Sequence, residues 1–67
     1  MMNVFISTYG FDYNDNFRAN ITTDNKDIIR DCIKKSHFPD DLEPDWHSLP
    51  WSHSQEARGG RCIISVE

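Results

Sequence analysis

The apolar positions near the start of the chain come as one run. Asn3 to Tyr9 reads Asn-Val-Phe-Ile-Ser-Thr-Tyr, β-branched and aromatic, with no Gly or Pro. Side chains alternate along an extended backbone, so Val4 and Ile6 point one way and Phe5 and Tyr9 the other. A strand apolar on both faces belongs at the centre of a sheet, covered on both sides. From Gly10 to Asn16 the pattern breaks. Asn14, Asp15 and Asn16 are turn formers, since their side chains hydrogen-bond locally and tolerate left-handed backbone. Phe17 to Thr23 then alternates: Phe17, Ala19 and Ile21 share one side, Arg18, Asn20 and Thr22 the other. That is a half-exposed strand, and residues 3–23 read as a β-hairpin.

The period then changes from two to that of a helix. Ile28, Ile29, Cys32 and Ile33 form one apolar stripe within Asp24 to Ser36. Asp24 suits the N-cap, and Asp27 at N3 places negative charge near the positive end of the dipole. Asp31 and Lys35 are an i,i+4 pair in the favourable order. Lys34, Lys35 and His37 complement the C-terminal end, and Pro39 stops the helix.

Residues 38–57 have no such period. They hold all three prolines (Pro39, Pro44, Pro50) and both tryptophans (Trp46, Trp51). A structureless loop of this length is unusual in a compact domain. Leu42, Trp46, Leu49 and Trp51 are therefore expected to pack, with short helical turns after Pro39 or Pro44, where proline suits the first helical position. Arg61 to Glu67 closes the chain as a strand. The stretch 51–58 before it has two readings. Ser52 and Gln55 have capping-box spacing, and Gly59 could end a helical turn. Alternatively Gly59 and Gly60 turn a hairpin, with 51–58 as an edge strand. The poor strand propensity of Ser, Gln, Glu and Ala favours the helical turn.

The predicted fold is α+β, one domain over residues 1–67, with connectivity ββα-loop-β. A small antiparallel sheet has three strands in the order 2-1-3, or four if 51–58 is an edge strand. Asn3–Tyr9 is central. The helix covers one face, and the tryptophan-bearing segment is placed over the other.

Length and charge sharpen this picture. A chain of 67 residues buries only about 60% of its unfolded surface, so a homodimer or a bound partner would help it considerably. The start of the chain has no basic segment followed by a long apolar one, and no stretch is long enough to span a membrane. Cys32 falls on the helix stripe and Cys62 within a strand. Both are read as reduced, small hydrophobes in a cytoplasmic protein.

Asp40, Asp41, Glu43, Asp45 and Glu56 give residues 38–57 a charge of −5 with no Lys or Arg among them, while the rest of the chain sums to +1, so all of the net acidity of −4 arises there. Acidic charge steers a basic partner, and Trp is a common interface anchor. Asp40, Asp41, Glu43, Asp45 and Trp46 are therefore the candidate partner-binding residues, Trp46 the anchor and Trp51 core. The expected partner is a larger host or cellular protein with a basic surface. Size and class suit a non-enzymatic, stoichiometric inhibitor or regulator of the phage or mobile-element kind, with the carboxylates standing in for nucleic-acid phosphates as one variant.

Two other classes are weaker. Phe5, Tyr9, Phe11 and Tyr13 form an odd-numbered aromatic row, and Arg58 and Arg61 a short basic hook. Together they would suit single-stranded nucleic acid, but the acidic balance opposes it. A metal-dependent regulator could draw on Cys32, His37, His47, His53 and Cys62, but their spacings match no zinc motif. Asp41, Glu43 and Asp45 have calcium-loop spacing, yet Trp46 occupies the position that needs glycine. Ser48, Ser52 and Ser54 lie beside His47 and His53 only as sequence neighbours, a poor basis for an activated nucleophile. No cofactor or metal is expected.

Overall fold

The computed structural model describes residues 1–10, 16–57 and 59–67. Its elements are β1 (Met2–Tyr9), β2 (Arg18–Thr23), α1 (Lys26–Lys35), β3 (Trp51–Ala57) and β4 (Gly60–Val66). The strands form one antiparallel sheet in the order β2-β1-β4-β3. The fold is thus small α+β with a single helix among the described residues. The last strand does lie beside the first. The three-strand order 2-1-3 is corrected by a fourth strand outside it.

That fourth strand replaces the helical turn expected at 51–58. Trp51, His53 and Gln55 are half-buried, while Ser52, Ser54 and Glu56 are exposed, so the stretch has a strand's alternation despite its poor strand formers. Without it, β4 would present an unpaired edge, and tertiary pairing overrides local propensity here. Ala57 pairs with Gly60, and Gly59 has φ +80°, which only glycine adopts without strain. Beside this turn, just after β1, Gly10 has φ +83°, and a Cβ there would stand 3.2 Å from the Gly60 Cα. Two backbones meet closely at that corner.

One face of the sheet carries the core. Val4 pairs with Ile21 and Val66, and Ile6 with Ala19 and Ile64, so these side chains share a face. Together with Cys62 they pack under Ile29 and Ile33 of α1 and Phe38 just after it. The helix is shorter than Asp24–Ser36. Its N-cap is Asn25, whose side chain accepts from the Asp27 backbone N–H, rather than Asp24. The Thr23 hydroxyl holds the Asn25 N–H at 3.0 Å, which sets the cap at the end of β2. At the far end Ser36 closes the helix through its N–H to the Ile33 carbonyl and its hydroxyl to the Cys32 carbonyl. Lys35 pairs with Asp31 at 2.8 Å. Ile28 lies off the buried stripe, 46% exposed.

The segment after α1 returns across the helix side of the sheet. Phe38 and Pro44 are buried, and Leu42, Trp46, Leu49 and Trp51 pack against the same core. Pro39–Leu42 and Asp45–Ser48 each close a single turn by a backbone hydrogen bond of 3.1 Å. The Leu49–Pro50 peptide is cis. The expectation that this segment covers the second face of the sheet is therefore wrong. Its apolar groups join the one core that α1 has already begun. Phe5 and Tyr9 are left 39% and 47% exposed on the other face.

Candidate functional site

The acidic segment is held against α1 by one cluster. Arg30 Nε donates to both Glu43 carboxylate oxygens, at 3.0 and 3.2 Å, and Nη2 donates to Oε1 at 2.8 Å. Arg30 Nη1 reaches back to Asp27 at 3.0 Å. The Trp46 indole N–H donates to the same Glu43 oxygen. Lys26 and Arg30 lie over the Trp46 ring, 5.3 and 5.7 Å from its centroid. Such cation–π contacts add to the ion pair. The hydrogen bonds from Arg30 and Trp46 hold the Glu43 carboxyl below its ordinary pKa, and Glu43 in turn raises that of Arg30.

This arrangement divides the predicted partner-binding residues. Glu43 and Trp46 are engaged within the chain, Trp46 half-buried against the core and Glu43 paired. Asp40, Asp41 and Asp45 remain exposed. Asp45 accepts from the His47 backbone N–H at 3.2 Å, which orders its turn. Among the described residues no cation pairs with any of these three aspartates. The loop is therefore a fixed support with three carboxylates on its outside.

The aromatic row and basic hook are only partly brought together. Phe5 and Tyr9 share the open face of the sheet with Arg61, which pairs with Tyr9 across the strands. Arg61 is engaged by Glu56 at 2.6 Å and by the Ser54 hydroxyl at 3.1 Å. Phe11, Tyr13 and Arg58 lie outside the described residues.

The histidines and cysteines have structural surroundings. The His53 ring stacks 6.2 Å from Trp51, approaches Phe38 at 6.1 Å and shares a 2.7 Å hydrogen bond with Gln55. His47 is exposed and His37 half-buried. Cys32 and Cys62 are free thiols, and burial pushes the Cys62 thiol up. Among the described residues no three His, Cys, Asp or Glu side chains gather as metal ligands. No described helix is long and apolar enough to cross a membrane.

Lys26 and Arg30 were not singled out from the sequence. Arg30 has a helix-spacing signal toward Asp27, but its main partner is 13 residues away, and no local pattern points there. Arg18 was placed on the exposed side of its strand and is exposed there, whereas Ile63, on the same open sheet face, was not singled out. The alternation of their strands places them there once the register is known. No protein-family model, no curated protein and no solved structure matches the chain.

Proposed function

We propose that the chain is a small non-catalytic binding module, a stoichiometric inhibitor or regulator that docks on a basic surface of a larger protein through Asp40, Asp41 and Asp45. The supporting observation is the pinned loop. Glu43, Trp46 and Arg30 hold it against α1 and leave on its outside three exposed carboxylates that no cation pairs among the described residues. A support ordered before binding loses less conformational freedom on docking than a flexible loop would. Exposed carboxylates act mainly on the encounter rate with a basic partner. The surface they meet is of the kind that also receives nucleic-acid phosphates. Trp46 serves as part of the support, not as a free anchor.

The test compares the wild type with a variant carrying Asp40→Asn, Asp41→Asn and Asp45→Asn. Proteins captured from lysate on each are identified, and binding kinetics of the captured partner are measured over a salt series. The association rate is expected to fall about tenfold or more at low salt with little change in dissociation, the difference fading as salt rises. Equal association rates for both proteins at low salt would refute the reading.

A further inference from the structure

We propose that the open face of the sheet docks a second copy of this chain, with the two-fold axis parallel to the strands and between β1 and β4. The face lies away from the acidic loop, so this proposal stands apart from the function above. Its described charged groups are Arg18, Arg61, Glu56 and Glu67, two of each sign. Two chains of net charge −4 can therefore meet on this face, whose charges balance among the described residues, with their acidic loops turned away from each other. Docking through the acidic loops would instead oppose like charges.

The register decides the axis. Phe5 pairs with Ser65, Ser7 with Ile63 and with Arg18, and Ile63 with Ser54. Rotation about an axis parallel to the strands sets β1 over the second copy's β4 at unchanged level. Each Phe5 then meets the second copy's Ser65, and each Ile63 its Ser7, a large side chain over a small one both times. A shallow depression lined by Asn3, Phe5, Asn20, Ser65 and Glu67 already lies where the incoming ring would go. Another borders Ser7, Tyr9 and Arg18. Each Tyr9 faces the second copy's Arg61, a cation–π arrangement. Each Arg18 lies over Ser54 of the other β3, two residues from Glu56 and within reach of its carboxylate. An axis perpendicular to the strands at the Ser7 level would instead place Arg18 on Arg18 and Phe5 on Tyr9.

Strand spacing and rise give four strands of this length a face of about 440 Å² in projection. That is roughly half of the 800 Å² per partner in a standard stable interface. The dimer is accordingly weak and concentration-dependent, and the measurement must extend upward from micromolar to millimolar protein.

Sedimentation velocity over that range is expected to show a reversible monomer–dimer equilibrium for the wild type. Phe5→Ala should raise the dissociation constant about tenfold, as for a central anchor. Arg18→Glu should raise it about threefold, as for a rim charge. Both variants should retain the wild-type circular dichroism spectrum. A mixture of Phe5→Cys and Ser65→Cys chains should cross-link faster than either alone. A wild type that is monomeric throughout overturns the proposal, and so does a dimer unaffected by Phe5→Ala. Preferential cross-linking of Phe5→Cys to Tyr9→Cys chains overturns the axis. A monomer that shifts a single-stranded oligonucleotide through Phe5 and Tyr9 would give the face to nucleic acid instead.

Discussion

Removing the Glu43 carboxylate should loosen the 38–50 segment from α1, and its cost can be worked from the contacts. Both carboxylate oxygens are held by Arg30, and one also takes the Trp46 indole N–H. The Arg30 and Glu43 side chains are 41% and 46% exposed, so solvent screens the pair strongly. An exposed pair, even of good geometry, contributes little by itself. Truncation also releases the indole N–H and some packing of the loop, which brings Glu43→Ala to about 1–2 kcal/mol. Glu43→Gln should cost less, about 0.5 kcal/mol, because the amide oxygen still accepts. The assay is urea unfolding followed by tryptophan fluorescence and far-ultraviolet circular dichroism. A double-mutant cycle with Arg30→Ala isolates the pair.

The pH dependence has a definite sign. Arg30 and Trp46 hold the Glu43 carboxyl below its ordinary value of 4.5. The folded state therefore binds this proton less readily than the unfolded one. The contribution is fully present above that ordinary value and is lost as pH falls through the lower folded value. The stability difference between wild type and Glu43→Ala should shrink through this window, and high salt should shrink it too. Wild-type stability in Glu43→Ala, or a difference that persists unchanged into acid, would show that Glu43 does not hold the loop.

Three further outcomes are expected. Ile64 is fully buried and packs in the core beside Ile6, its β1 partner. Ile64→Ala should cost about 2–5 kcal/mol, enough to unfold much of so small a domain, and a wild-type melting curve would contradict its placement. Gly10→Ala should cost about 1–2 kcal/mol, because φ is +83° and the new Cβ would press on Gly60; an unchanged denaturation midpoint would remove the close corner. Cys62 is buried with its thiol pushed up, so it should resist alkylation in the native protein near neutral pH and react after unfolding. Mass spectrometry of alkylated native protein decides this, and rapid labelling of Cys62 would refute it.

Much of the architecture is local and was legible in the pattern. The Asn3–Tyr9 run, the Phe17–Thr23 alternation, the Ile28, Ile29, Cys32 and Ile33 stripe and the Arg61–Glu67 strand each mark their element by side-chain period alone, although Ile28 lies exposed. The Asp31–Lys35 pair follows from helix spacing and is present. Two-sided apolarity was a poorer guide. The odd-numbered side of β1 is aromatic, yet Phe5 and Tyr9 stay exposed, because Phe38, Leu42, Trp46, Leu49 and Trp51 join the core under α1. Composition located the charge of the acidic segment but could not divide it. Glu43 differs from Asp40, Asp41 and Asp45 only because folding brings Arg30 and Trp46 to it.

The strand at 51–57 was decided in the same way. Its residues are indifferent strand formers, and the backbone groups exposed along β4 determine their conformation. Local sequence determines an element when its own period and caps suffice. It does not determine one whose stabilising partners are distant in the chain, as β4 is for the face-by-face burial of Trp51, His53 and Gln55, and as Arg30 is for Glu43. Those contacts exist only after the chain has closed, so only the tertiary structure could supply them.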